Sequence, residues 1–425
     1  MLSASRPRRV CVQWPRLGPL HLNRLRAAHA VLSRHGIETV ALETASDSAV
    51  YDWRLEEGPT PFERETIFPG EVYDDIAPDR MHRAVTAALD RLDPDAVHIH
   101  SYSTPDARAC LAWCRRRRRI AICMAESKAS DAVRVGWREA LKRAIVSEFD
   151  AAQAAGSAAT RYHAHLGIPE HRIFAGYSVV DNEYFAERAD AVRQAPEAAR
   201  ALPGLEDETP FFFASARFMK RKDLPTLIRA YASYRRRAEA TEAPPWRLLL
   251  LGDGPLRPGV EALVREEGIV EAVALPGWRQ IEDLPAYYAL ASAFVHTAVV
   301  DQWGLVVNEA MAAGLPVVVS AGAGCAEDLV RDGENGFTFQ PGDADALTRH
   351  LYAVAHEVDR GAFAQRSREL IAAWPLERFG TSLHQAIAAG AEVAATRGFS
   401  LRTRSIIALL RRVARTPRSF HSVQD

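Results

Sequence analysis

Two Rossmann-like α/β domains with a cleft between them are predicted by three observations. Apolar β-type runs alternate with amphipathic helical patterns along most of the chain, the mark of parallel βαβ units. The 425 residues exceed the roughly 250–300 at which a single core stops growing. Residues 186–209, rich in Ala, Glu and Pro, also carry no strand pattern and read as a connection between domains. The expected division is therefore a first domain over 1–185, a linker over 186–209 and a second domain over 210–375. A helix over 376–396 returns to complete the first domain, and a basic tail occupies 397–425.

In the first half, RRVCVQW opens the first strand. The loop PRLGPLH, the amphipathic LNRLRAAHAVLSRHG and the strand IETVALE follow. A polar stretch, residues 47–79, carries no evident element. MHRAVTAALDRLD, AVHIH, TPDARACLAWCRRRRR, IAICMA and WREALKRAIVSEF then alternate helix and strand patterns. The second half repeats the plan without repeating the sequence. PFFFASAR, WRLLLLGDGP, AVALPGW and AFVHT read as strands, separated by LPTLIRAYASYRRRAEA, GVEALVREEG and LPAYYALAS as helices.

Composition excludes several classes. The chain is 48% hydrophobic and 25% charged, ordinary for a globular protein. Its net charge of −1 lacks the basic excess of a nucleic-acid binder, so no nucleic-acid partner is expected. Five cysteines (Cys11, Cys110, Cys114, Cys123 and Cys325) form no CxxC pair, which fits a reducing compartment. The start has no apolar core of signal-peptide length, and no run approaches the roughly 18 apolar residues that span a bilayer. A cytoplasmic placement is the expectation.

Residues 296–320 hold the densest chemistry. AFVHT ends a strand, DQWG is a loop, LVVNEAMAA has helix formers, Gly314 and Pro316 stop it, and PVVVS is again a strand. Asp301 precedes the helix and Glu309 lies within it. A helix start has unpaired N–H groups and partial positive charge, so it attracts phosphate. Carboxylates beside it suit sugar hydroxyls, and together they suggest a sugar nucleotide. Arg217 follows the strand FFFAS and Lys222 comes five residues later, both well placed for a diphosphate. A solvated basic turn explains the same pair, since Lys220 and Arg221 adjoin them. Gly252-Asp253-Gly254 and Gly277-Trp278 also follow strands, where glycine lets backbone approach a ligand, although plain turns account for them equally.

Other patterns carry less. Asp93-Pro-Asp95 precedes its strand, and Asp343-Ala-Asp345 reads as a helix cap. His98 and His100 share one face of a strand but make an incomplete metal site, so no metal residues are assigned. His100, at the strand end, is an acceptor-side candidate. The run from Arg115 to Arg119 reads chiefly as a solvated helix end. The tail SLRTRSIIALLRRVARTPRSF alternates basic and apolar residues, and it reads equally as a peripheral contact with an anionic membrane or a basic end.

Taken together, these pieces resemble the family-4 glycosyltransferases of GT-B fold. The resemblance rests on Asp301, Gly304-Leu305, Glu309-Ala310-Met311 and Gly314-Leu315-Pro316-Val317, on Arg217 and Lys222, on GDGP and Gly277, and on ENGFTFQPGDADAL. In the first half Gly18, in the loop after the first strand, matches less specifically. The resemblance implies a nucleotide-diphosphate-sugar donor in the second domain, with no further cofactor, and a glycan, glycolipid or small-molecule acceptor held by the first. Arg217 and Lys222 would stabilise the departing diphosphate, and N–H groups near Gly304, Leu305 and Val306 would do so without a metal. Glu309 would bind the ribose and Asp301 the sugar. Gly18, Gly252, Asp253, Gly277 and Trp278 would complete the donor site. The family retains anomeric configuration and needs no enzyme nucleophile. Two positions depart from its pattern: Asp301 stands where glutamate is usual, and Glu126 stands where a histidine often ends the strand IAICMA, making Glu126 a candidate for the catalytic arrangement. A sugar-nucleotide epimerase or phosphorylase-like enzyme of the same fold, and a silent sugar-nucleotide-binding subunit, remain as alternatives.

Overall fold

A computed structural model describes residues 7–47, 58–394 and 405. The basic tail, apart from residue 405, lies outside the described residues. The chain divides into two compact units, one running to Val179 and resuming at Leu376, the other spanning Val180–Pro375.

The first unit contains β1 (Arg9–Trp14), α1 (Pro19–Arg34), β2 (Glu38–Asp47), β3 (Glu63–Val72), α2 (Pro78–Leu92), β4 (Ala96–Ile99), α3 (Pro105–Arg117), β5 (Ile120–Ala125), α4 (Gly136–Val146), β6 (Ala151–Ala154), α5 (Ser157–His165) and β7 (Ile173–Ala175). The second contains α6 (Asn182–Gln194), β8 (Phe211–Ser215), α7 (Leu224–Ala240), β9 (Arg247–Leu251), α8 (Arg257–Glu266), β10 (Val273–Gly277), α9 (Leu284–Leu290), β11 (Ala293–His296), α10 (Leu305–Ala312), β12 (Val317–Ser320), α11 (Ala326–Leu329), β13 (Gly336–Phe339), α12 (Ala344–His356) and α13 (Arg360–Ile371). The helix α14 (Glu377–Ala394) packs on α1, β5 and β6 of the first unit, where Gln153 Nε2 donates to Phe379 O and Ser382 Oγ.

Both sheets are parallel and doubly wound. The strand orders are β3-β2-β1-β4-β5-β6-β7 and β10-β9-β8-β11-β12-β13. In each, the order reverses between two central strands, β1 and β4 in one and β8 and β11 in the other. The loops leaving a reversal point diverge, and the crevice at the carboxyl ends of those strands is where such sheets bind ligands.

Alternation along the central strands sets the second core. Phe212 turns to one face, against Tyr234 and Trp246 at 5.1 and 4.9 Å between rings. Its neighbour Phe213 turns to the other, edge-on to Tyr288 at 5.1 Å.

Three features differ from the sequence expectation. Residues 63–72, inside the polar stretch, form the edge strand β3, whose Pro69 and Gly70 fit an edge where ladder bonds are dispensable. Residues 186–209, expected as a connection, begin inside α6, which packs on α9 and α10. In the arginine run, Arg115 is buried in a two-pronged pair with buried Asp150, whereas Arg117 and Arg119 pair near the surface with Asp90 and with Asp93 and Asp95.

Candidate functional site

At the reversal point of the second sheet, a lysine, an aspartate and a histidine meet. Lys222 closes the short 3-10 turn after β8, and Asp301 lies in the loop after β11. Lys222 Nζ reaches Asp301 Oδ2 at 2.5 Å, and His296 Nε2 lies 3.0 Å from the same oxygen. The backbone fixes both partners: Thr297 Oγ1 donates to Lys222 O, and Asp301 N donates to Gly322 O while its carbonyl accepts from Gly324 N. Burial alone would raise the Asp301 carboxyl, but the Lys222 ammonium and the His296 ring override it and hold it well below the usual range. Burial lowers the imidazole of His296, so the neutral ring presents Nε2–H to the carboxylate. His296 was not among the sequence candidates. Its signal was a polar residue closing the apolar run AFVHT at a strand end.

Beside this cluster begins α10. Gly304 caps it at φ +101°, a left-handed backbone that a side chain rarely adopts, and a Cβ there would lie 3.3 Å from His296 Nε2. Leu305 and Val306 then form the first turn, whose N–H groups point out of the helix start. The entry loop is pinned by Trp303, whose Nε1 donates to Asn308 Oδ1 at 2.8 Å and whose ring packs 4.9 Å from Trp374.

Glu309 sits one turn further along, only 4% exposed. Tyr288 donates to its Oε2 at 2.7 Å, and the Tyr288 ring is held between Phe213, Phe294 and Phe185. Oε1 has no hydrogen-bond partner among the described residues. Burial raises the carboxyl from 4.5 to about 7, against the opposing pull of the Tyr288 hydrogen bond. Tyr288 had no distinguishing mark in the sequence, being one of two adjacent tyrosines in an apolar helix.

The loops after β8, β9 and β10 are stitched together. Ala216 N donates to Leu251 O, Phe218 N to Asp253 O and Gly252 N to Gly277 O. Gly252 has φ +127°, and a Cβ on it would fall 1.9 Å from Ala216 O, so only glycine fits this close approach. Arg217 therefore lies on a loop locked against the Gly252-Asp253 turn. Asp253 faces Arg257 at 3.6 Å, Gly277 has φ +85°, and Trp278 is 40% exposed.

The remaining sequence candidates belong to the first unit. Gly18 caps α1 and donates through its N–H to His21 Nδ1. His100 follows β4, with Nδ1 2.9 Å from Gln13 Oε1 and Nε2 3.0 Å from Thr104 Oγ1. Gln13 Nε2 donates in turn to buried Asp106, which also accepts from Thr44 and Tyr73. Glu126 follows β5. His98 is fully buried and held neutral, its pKa lowered by burial to about 3, and Asp343 caps α12 through Ala346 N. Among the described residues, no group of three His, Cys, Asp or Glu side chains is placed to hold a metal ion.

Residues 197–369 match the model of the family described as glycosyl transferases group 1. The lipopolysaccharide core biosynthesis glycosyltransferase LpsE of Rhizobium meliloti is 32% identical over 165 residues, 39% of this chain and 45% of that protein. The GDP-mannose-dependent alpha-(1-6)-phosphatidylinositol monomannoside mannosyltransferase of Mycolicibacterium smegmatis is 32% identical over 176 residues, 40% of this chain and 43% of that protein. The chain thus spans less than half the length of these curated relatives. Among solved structures, HepE of Anabaena in complex with UDP and glucose superposes with a TM-score of 0.67 at 17% identity, covering 89% of this chain and 99% of that one. Sucrose-phosphate synthase of Thermosynechococcus elongatus superposes at 0.66 with 20% identity, covering 92% and 100%. The structural likeness establishes the shared two-domain GT-B fold.

Proposed function

We propose that the chain transfers a hexose or N-acetylhexosamine from a nucleotide-diphosphate sugar to an acceptor hydroxyl, with retained configuration and without a metal. The observation that carries this reading is the Lys222–Asp301–His296 cluster beside the start of α10, at the reversal point of the second sheet. Cations and helix N–H groups there suit a diphosphate, and an ionised, acceptor-only carboxylate suits sugar hydroxyls. The match over residues 197–369 supports it, as do relatives whose names specify GDP-mannose and a solved neighbour holding UDP.

In the reaction, the acceptor oxygen bonds to the anomeric carbon as the bond from that carbon to the diphosphate oxygen breaks, on the same face. The acceptor proton passes to the departing phosphate. Arg217 and Lys222 take up the charge that develops on the diphosphate, and Glu309 Oε1 accepts from a ribose hydroxyl. The acceptor, a glycan, glycolipid or small molecule, is assigned to the first unit, where His100 and Glu126 lie at strand ends. Among the described residues no helix is long and apolar enough to cross a membrane. Action at the cytoplasmic face is part of the proposal.

A thermal-shift series with UDP-, GDP- and TDP-sugars tests the donor. The matching nucleotide at about 100 times its Kd should stabilise the protein by about 2.7 kcal/mol. Arg217→Ala should lower transfer about 10²–10³-fold with little change in melting. No stabilisation by any nucleotide sugar, or undiminished transfer in the variant, would remove the assignment. Donor turned over without an acceptor into a new sugar nucleotide would replace it with epimerisation.

A further inference from the structure

The five large apolar side chains most exposed on the described surface are not scattered. Three of them, Val133 at 90%, Val135 at 37% and Trp137 at 65%, fall within five residues of the first unit. The other two, Val270 and Trp278, belong to the second. In the extended stretch before α4, alternate residues face opposite ways, and the usual pattern is inverted. Arg134 is the inward residue. Its Nε donates to Ala129 O, its guanidinium also bonds Lys128 O and pairs with Glu139, and it lies 4.3 Å over the Tyr162 ring. With the charge clamped inside, Val133 and Val135 are held outward, and Trp137 follows in the first turn of α4.

A loop that merely tolerated apolar residues would not tie down an arginine to expose them. The rest of the segment supplies positive charge. Between residues 128 and 143 five cations stand against two acids, Asp131 and Glu139, both of which are already paired. Arg138 is exposed and lies 5.3 Å over the Trp137 ring, and Arg143, five residues on, is exposed with a guanidinium nitrogen 3.1 Å from His165 Nε2. An apolar tip carrying a tryptophan, on a segment of net positive charge, matches the layering of a bilayer interface. The aromatic ring and aliphatic groups enter the headgroup region while the cations meet lipid phosphates.

We infer that Val133, Val135 and Trp137, with Arg138 over the Trp137 ring, form a docking surface for an anionic phospholipid membrane. Its occupant is the bilayer rather than the reacting sugar. It places the membrane contact in the folded first unit instead of in the basic tail.

Co-sedimentation of the full chain with vesicles tests the inference, using phosphatidylcholine alone and phosphatidylcholine mixed with phosphatidylglycerol. The expected result is retention by the anionic vesicles and release as salt is raised. The combined change Val133→Ser, Val135→Ser and Trp137→Ala should weaken partitioning about tenfold or more without altering the melting transition. Trp137→Phe should keep binding but lose part of the lipid-induced blue shift in tryptophan emission. Undiminished binding in the combined variant would put the contact elsewhere and overturn the assignment. So would absence from both vesicle types, or a wild-type dimer that the combined variant dissociates.

Discussion

Lys222→Ala is expected to abolish transfer, by about 10³-fold or more, and also to destabilise the second unit. The second effect follows from the ion pair. Asp301 and Lys222 are only 16% and 14% exposed, so removing the ammonium leaves a carboxylate with poor access to water. Breaking such a buried pair costs about 3 kcal/mol, which corresponds to roughly 6–12 °C in a unit of this size. A basic turn in solvent would show no such penalty, so melting separates the two readings.

The remaining partner gives the loss a pH dependence. In the intact protein burial is the main influence holding His296 below 6.5, and the positive charge of Lys222 adds to it. Without Lys222, burial still lowers His296, but Asp301 is opposed by one cation fewer, so the folded pKa should rise toward the unfolded value. A histidine lowered on folding costs stability below its unfolded pKa, and a smaller lowering costs less. The deficit of the variant against the intact protein should therefore shrink below pH 6.5. A flat deficit across that range would show that His296 does not compensate.

Glu309→Gln should weaken donor binding about 10–100-fold, the worth of a hydrogen bond to a charged group, yet raise the stability of the free protein at alkaline pH. The native carboxyl titrates near 7 when folded and near 4.5 when unfolded. Between those values the folded state holds the extra proton, so native stability falls as pH rises from 4.5 through 7 and then levels off. The shift corresponds to about 3 kcal/mol at most. Glutamine carries no charge, keeps a carbonyl for the Tyr288 hydroxyl and should erase that slope. Melting curves from pH 5 to 9 alongside donor titrations would show it. A variant that binds donor normally would end the ribose role, and one that keeps the slope would trace it to another group.

Much of the second unit was legible because its signals are local. Strand runs such as LLLL and PVVVS, the loop–helix switch at Gly304 and the stop at Gly314 and Pro316 depend only on near neighbours. The spacing of Asp301 and Glu309 around the helix start was readable for the same reason. The edge strand β3 was not, because ERETIFPGEV lacks a continuous apolar run and contains a proline that only an edge position tolerates. Arg115 escaped for a related reason: its buried partner, Asp150, lies 35 residues away, so the run of like charges concealed one member turned inward.

What the sequence determined by itself is the alternating βα plan, the two-domain division and the residue types at the strand ends. Which of those residues meet was decided by strand order. Lys222 and Asp301, 79 residues apart, share an oxygen-to-nitrogen contact because β8 and β11 are neighbours at the reversal point. The same packing added His296 to the pair and set Tyr288 against Glu309. Burial then fixed their charge states, pressing one carboxyl down through its cation and the other up through its isolation. Periodicity is a property of near neighbours, whereas pairing and desolvation arise only when distant segments close on one another.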